Sequence, residues 1–325
     1  MRVLDVFAGA GGLSIGLADA GFDIVAGAEW DRDACATFAA VHPKAHVLDG
    51  DVRAMSFTAW RRRVDVVVGG PPCQPWSTGG KRMGAADPRD GWPSFLRVVR
   101  EVRPRALVVE NVAGFAARPR RCRLDAVERE LCDLGYTVRA GVVNAADHGA
   151  PQKRRRLIIV GVRGATFAFP EPRFGPGTWR TAGAVLRPEP LGPPNPSVVT
   201  YARRPDLRPS PYDGHMFNGG GRPIDLAQPA PTLLASMGGN KTPWIDTLGV
   251  VPDYHAHLLG GGRPRAGCVP GARRLTVEEA ALLQTFPPGT PFAGTRSSCY
   301  RQIGNAVPPL LARVVGARLR EVCRW

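Results

Sequence analysis

The chain has 325 residues, enough for one large domain or two ordinary ones, and its 44% apolar and 22% charged residues make a globular rather than a disordered composition. No apolar run approaches the ~18 residues a membrane helix needs, which excludes a spanning helix, and the N-terminal MRVLDVFAGAGG has no signal-peptide layout. The formal net charge of +15 favours a polyanionic partner, with nucleic acid first among them.

Only four of the 43 basic residues are Lys; such a bias explains the choice of Arg, but not the excess over 28 acidic residues. That excess is spread along the chain, +7 over 1–163 and +8 over 164–325, so it is not an isolated basic tail. The seven cysteines form no CxxC pair. Neither a disulfide framework nor a cysteine zinc site is indicated, and a reducing cytoplasm fits.

In chain order, Val3–Phe7 is a short apolar strand that ends at glycines, and Leu13–Ala20 continues as a helix. Ile24–Ala28 is the next strand, closed by Glu29, and Asp31 caps a helix that runs towards Val41. Val64–Val68 is a β-branched run of the kind buried on both faces of a parallel sheet. A helix is expected over Trp92–Glu101, a buried strand over Ala106–Val109, a helix over Leu124–Leu134, and strands over Thr137–Val143 and Leu157–Val162. This alternation predicts a doubly wound α/β sheet. The texture then changes: residues 164–215 hold eleven prolines and no clear period, which predicts loops and short edge strands. Arg274–Thr285 reads as an amphipathic helix capped by Thr276, and Pro308–Val322 as a terminal helix. The expected division is 1–164, a smaller irregular domain over 165–300, and a segment over 301–325 that returns to the first.

The chemistry gathers at strand ends. In Asp5–Gly16 (DVFAGAGGLSIG) a glycine turn between strand and helix lets a ligand approach the backbone, and Glu29 can accept from ribose hydroxyls. Asp51, just past a third candidate strand, can accept from an adenine amino group. No GKS or GKT follows the glycines, which disfavours an ATPase. Directly after Val64–Val68 comes GGPPCQPWS, whose prolines set Cys73 on a rigid turn at a strand's carboxyl end, where a thiolate is a nucleophile. Glu110, in Glu110-Asn111-Val112, is a candidate proton donor at the same edge. Residues Gln152, Arg154 and Arg156 of QKRRR are expected to share one side as the next strand begins.

These elements occur in one order: DVFAGAGGLSIG, Glu29-Trp30, Asp51, GGPPCQPWS, ENV, QKRRR, RPIDLAQPAPTL (Arg222–Leu233) and RQIGNAVPP (Arg301–Pro309). In that order they resemble the bacterial DNA (cytosine-5)-methyltransferases over nearly the whole chain. Two departures are the extra basic residues inside QKRRR and the compact proline-rich stretch after it. The resemblance implies a Rossmann-like S-adenosylmethionine-dependent methyltransferase sheet domain plus a smaller irregular target-recognition domain. It implies transfer of a methyl group to C5 of a flipped-out cytosine in a short duplex DNA site, through a covalent bond from Cys73 to C6. Glu110 would protonate N3, Arg156 would hold O2, Arg154 would help position the cytosine and its phosphate, and the carbonyl of Pro71 would accept from the exocyclic amine.

For the cofactor, S-adenosylmethionine, which leaves as S-adenosylhomocysteine, the resemblance implies Phe7 and Trp30 on the adenine and Gly9, Gly11, Gly12 and Leu13 at the methionine end. It also implies Glu29 on the ribose, Asp51 at N6, and Pro71 and Asn305 in the same pocket, with no metal. The segment 74–92 reads as a loop closing over the flipped base, with Ser77, Lys81, Arg82 and Arg89 as contacts and Gln152 as a further substrate residue. Arg203, Arg204, Arg208, Tyr212, Asn240 and Lys241 are groove or phosphate candidates. The implied partners are double-stranded DNA and a cognate restriction endonuclease. The implied setting is a bacterial cytoplasm at the nucleoid, and one subunit suffices. An RNA (transfer RNA) cytosine-5 methyltransferase and a catalytically silent DNA-binding module stand as alternatives.

Overall fold

Three consecutive fully buried valines, Val66–Val68, mark a strand covered on both faces, and the sheet is built around it. The computed structural model describes residues 1–72, 90–218 and 220–323. Its first half runs β1 (Arg2–Val6), α1 (Gly12–Asp19), β2 (Asp23–Glu29), α2 (Arg32–Val41), β3 (His46–Asp49), β4 (Val66–Gly69), α3 (Trp92–Val102), β5 (Ala106–Val112), α4 (Arg121–Asp133), β6 (Thr137–Asn144) and β7 (Arg155–Val162). The strands form one sheet in the order β3-β2-β1-β4-β5-β7-β6. The first five are parallel, and β7 runs antiparallel to both β5 and β6. Strand order reverses between β1 and β4, so the cleft beyond their carboxyl ends is the place where such sheets bind ligands.

Alternating side chains divide the core between the two faces. Leu4, Val67 and Leu107 pack with Trp92, Phe95 and Val99 of α3 and Leu124 of α4. Val3, Val66 and Val108 pack with Leu13 and Leu17 of α1 and with Leu311 and Val315 of the last helix. Local signals place the helices. Asp31 accepts from the backbone N–H of Asp33 and Ala34 and starts α2, and Arg103, in the left-handed region, ends α3.

The second half continues with β8 (Tyr201–Asp206), β9 (His215–Phe217), β10 (Trp244–Asp246), α5 (Val250–Leu259), β11 (Ala272–Arg274), α6 (Val277–Leu283), α7 (Arg296–Asn305) and α8 (Pro309–Val322). β8 pairs with β9 and β10 with β11 as two small antiparallel sheets. Phe217, Trp244 and Tyr254 centre a separate small core, with Phe217 edge-on to Trp244 at 5.0 Å. A further core joins Ala10 and Ile15 of the first half to Leu233, Leu275, Tyr300 and Ile303.

The expected helix over Arg274–Thr285 is shorter, because Arg274 belongs to β11 and the capping box of Thr276 and Glu279 fixes the start at Val277. α7 runs across position 300, where the sequence placed a boundary. The terminal helix does return: α8 lies on α1 so closely that a Cβ on Gly16 would stand 2.6 Å from the Cβ of Ala312.

Candidate active site

The carboxyl ends of β1, β2, β4 and β5 open into one cavity of about 750 Å³. Leaving β1, the chain turns through three residues in the left-handed region, Phe7 (φ 59°), Gly9 (55°) and Gly11 (79°). For Phe7 that backbone costs on the order of 1–2 kcal/mol, strain of the kind found where a ligand is held. The turn points the Gly9 N–H at Glu29 Oε2 (2.8 Å), while Glu29 Oε1 accepts from the N–H groups of Trp30 and Asp31, both at 2.9 Å. Three backbone donors thus fix a nearly buried carboxylate at the cavity wall. Beneath it, Asp5 accepts from the Ser14 hydroxyl. Burial pushes Asp5 up to about 7, with Ser14 opposing and Glu29 adding to the rise.

Phe7, Gly9, Gly12, Leu13, Glu29, Trp30, Asp51, Pro71 and Asn305 all line this cavity. Gly11 faces Phe38 and His42 instead. Trp30 is 70% exposed, free to cover a flat ring. Asp51 is held by Arg53, Nη2 to Oδ2 at 2.6 Å, which pulls its carboxyl below the usual range. A fixed carboxylate, an exposed indole and a glycine turn with open space at Gly9 make a lining that fits a nucleoside with a charged tail.

At the other end of the cavity, Glu110 and Asn111 come from β5. Glu110 Oε1 meets Arg156 Nε of β7 at 2.7 Å, with both side chains nearly buried. Asn111 Nδ2 donates to the carbonyl of Pro71 at 3.1 Å, and a Cβ on Gly70 would stand 3.4 Å from Glu110 Oε2. The chain after β4 is therefore anchored directly beside the Glu110–Arg156 pair. Cys73, Ser77, Lys81, Arg82 and Arg89 lie outside the described residues.

Gln152, Arg154 and Arg156 alternate with the exposed Lys153 and Arg155 and so lie on one side, as expected. Gln152 and Arg154, just ahead of β7, are fully buried. Arg154 donates to the carbonyls of Leu233 (2.9 Å), Gly304 (2.7 Å) and Ala306 (2.8 Å). Burial, and then Arg156, pull Arg154 down to about 9, with Glu110 opposing, so it stays a cation at neutral pH. Gln152 donates to the carbonyl of Leu283 and to Gln284, and accepts from Leu233 N. Neither side chain offers surface to a base; together they fasten the second half to the sheet.

Of the groove candidates, Arg203, Arg204, Arg208, Asn240 and Lys241 are exposed and Tyr212 is half-buried. Arg208 is paired with Asp206 at 3.1 Å. Sequence reasoning passed over several cavity residues, Asp5 and Asp90 among them. Asp5 is the one charge in an apolar strand, which was the available signal. Asp90 bonds Trp92 N at 3.0 Å and Arg123 Nη2 at 3.0 Å; its signal was an acid just before a helix carrying an early proline.

Comparison with known proteins places this geometry. The family described as C-5 cytosine-specific DNA methylase matches residues 1–177 and 250–321. The chain is 34% identical over 330 residues to the type II methyltransferase M.AplI of Arthrospira platensis, covering 98% of this chain and 85% of that protein. It is also 34% identical to M.Eco47II of Escherichia coli, covering 97% and 77% respectively. Among solved structures, a putative DNA modification methyltransferase encoded within an E. coli prophage shares the fold over 100% of both chains, with a TM-score of 0.71 and 21% identity. The S. pombe Dnmt2 methyltransferase does so over 99% of this chain and 98% of its own, with a TM-score of 0.72 and 17% identity. The chain belongs to the C-5 cytosine-specific DNA methylase family and is an S-adenosylmethionine-dependent DNA (cytosine-5)-methyltransferase.

Proposed function

We propose that the enzyme methylates C5 of a flipped-out cytosine within one short duplex sequence, through a covalent bond between Cys73 and C6. The observation that carries this reading is the Glu110–Arg156 pair at 2.7 Å, set beside Gly70 and Pro71 just ahead of Cys73 in the chain, with Glu110 lining the same cavity as Glu29. Carbon 5 of cytosine is a weak nucleophile. Addition of the Cys73 thiolate to C6, with Glu110 delivering a proton to N3, turns C5 into an enamine carbon. Arg156 holds Glu110 in place and donates to O2, and the Pro71 carbonyl keeps a lone pair for the exocyclic amine. Loss of the C5 proton then lets the C6–S bond break, and the thiolate is restored.

S-adenosylmethionine supplies the electrophilic methyl group that C5 accepts. Glu29 would take its ribose hydroxyls, Phe7 and Trp30 would enclose its adenine with Asp51 near N6, and Gly9, Gly12, Leu13 and Asn305 would surround the remainder. C6 is hidden inside a duplex stack, so the base must leave the helix. The segment expected to close on it, with Ser77 and Arg89 among its contacts, then ends before Trp92, which is fully buried at the start of α3. Arg154 and Gln152 act at one remove, by holding the Leu233 and Gly304–Ala306 segments against the sheet.

Base reading falls to residues 165–300, and chiefly to 178–249, between the two stretches that match the family. Arg203 and Arg204 there are exposed cations suited to guanine edges or phosphates. The type II names of the relatives support a place in a restriction-modification system, with a cognate endonuclease acting on the same site, in a bacterial cytoplasm. One subunit contains the whole site.

Trapping tests the covalent step. A long duplex made with 5-fluorocytosine throughout cannot release a C5 proton, so with S-adenosylmethionine the protein should become bound to DNA in a form that survives denaturation. Cys73→Ala should give no adduct. A folded, cofactor-binding wild-type protein that forms none would overturn the covalent route.

A further inference from the structure

The strands begin at the edge of the sheet opposite the cavity, and their starts are tied side by side. Asp23 N donates to the Met1 carbonyl, Asp65 N to that of Arg2 and Arg105 N to that of Asp65, at 2.9, 2.8 and 2.8 Å. Arg2 opens β1, Lys44 precedes β3, Arg61, Arg62 and Arg63 precede β4, and Arg103 precedes β5. All six are exposed. The acids in the same strand starts are Asp23 and Asp65, and Asp65 is engaged by Arg2, whose N–H it accepts at 2.7 Å. Between the cations lies a cleft of about 380 Å³ that Arg2, Lys44, Trp60 and Arg63 help to line, with the Arg63 guanidinium 5.6 Å from the centre of the Trp60 ring. None of these residues takes part in the methylation site.

Neighbouring strands lie ~4.8 Å apart, so the row from β3 to β5 spans about 20 Å, more than half a turn of duplex DNA. Guanidinium and ammonium groups repeated over that length match a chain of phosphates better than any single small anion, which would need only the cleft. The row faces away from the cavity at the far ends of the same strands, so a straight duplex delivering its cytosine to Glu110 does not reach it. We propose that this edge is a second duplex-DNA surface, which holds the backbone of a segment other than the one being methylated. The enzyme's substrate is a polymer, so a second hold of this kind retains it on DNA while the cavity releases one site and searches for another.

The test uses the full chain and the variant Lys44→Gln/Arg61→Gln/Arg63→Gln. The probe is a short duplex of adenine and thymine only, which contains no target base. Sedimentation at low salt should find two duplexes per wild-type protein and one per variant, and the variant's slope of log affinity against log salt should fall by about 2 to 3. Single-turnover methyl transfer to a short cytosine-containing duplex should be unchanged. One duplex per wild-type protein, or an unaltered salt slope in the variant, would overturn the proposal. A variant that loses methyl transfer in proportion to binding would place these residues on the substrate path, which also overturns it. Displacement of the duplex from this edge by an equal length of single-stranded RNA would overturn the assignment to DNA.

Discussion

Both halves of the molecule use arginine to hold loop carbonyls, as Arg97 does for Met55 and Val52 in the sheet half, but the sheet half also sets one at a strand end for chemistry. In the sheet half, regular strands satisfy the backbone, so a side chain at a strand end is left for chemistry, and Arg156 turns to Glu110. Beyond β7 there is little regular structure, and carbonyls that no ladder satisfies are taken up by buried or half-buried guanidinium groups. Arg154 serves Leu233, Gly304 and Ala306. Arg274 donates to the carbonyls of Thr242 and Val198, and Arg273 to that of Pro188 while pairing with Glu279. Five donors in a fixed fork let one Arg close several loops at once, at the cost of burying a charge. An excess of arginine is therefore only partly a record of what the protein binds.

Substitutions on either side of this divide separate the two uses. The largest effect is expected at the chemical end. Glu110→Gln keeps the shape of the side chain and removes the proton it gives, so the single-turnover rate of methyl transfer should fall by about 10²–10⁴. Binding of S-adenosylmethionine, followed by calorimetry, should stay within about twofold. Arg154→Met should act through stability instead. It removes the Arg154 bonds to Leu233 and Gly304, while Ala306 keeps Gln284 as donor, and should cost about 3 kcal/mol in denaturant unfolding, with any activity loss following the loss of folded protein. A drop in methyl transfer with no loss of stability would return Arg154 to direct contact with substrate.

Asp5 sharpens the contrast through pH. Its folded value of about 7 lies above the usual 3.8, so folding favours the protonated acid. Its stabilising contribution is present below pH ~4 and is lost as pH rises through about 7. Asp5→Asn should remove that slope, so that unfolding free energies of wild type and variant diverge between pH ~4 and ~7 in the variant's favour and run parallel above it. Curves parallel across that window as well would contradict the assignment. The smallest effect is expected at Thr276→Ala, which breaks the capping box with Glu279 and should cost about 1 kcal/mol.

What could be read without a structure follows the same divide. Runs such as Val66–Val68 and Leu157–Val160 announce buried strands because water is excluded from both faces. Caps such as Asp31 and Thr276 are local and chemical, and both appear where expected. Glu29, Trp30, Asp51, Pro71 and Asn305 meet at one cavity because each sits at a strand end or next to a motif with its own turn chemistry. The clips were not legible. Arg154 looks in sequence like a contact for substrate, and only the return of Leu233, Gly304 and Ala306 to it reveals its use. The proline-rich stretch 164–215 promised short edge strands without placing β8, and no pattern in the sequence marked β9 to β11. Those strands are three to six residues long, and what holds them is contacts such as Phe217 on Trp244 rather than a repeating pattern.

The carboxyl edge of the sheet, with Cys73 following β4 in the chain, is proposed to transfer methyl groups to cytosine at one DNA sequence. Expression in a host that lacks cytosine methylation, followed by base-resolution mapping of 5-methylcytosine, tests it directly. The account predicts modified cytosines confined to one short motif, and a blank map from Cys73→Ala. A blank map from wild-type protein shown to be folded and cofactor-bound, or the same motif methylated by Cys73→Ala, would contradict it.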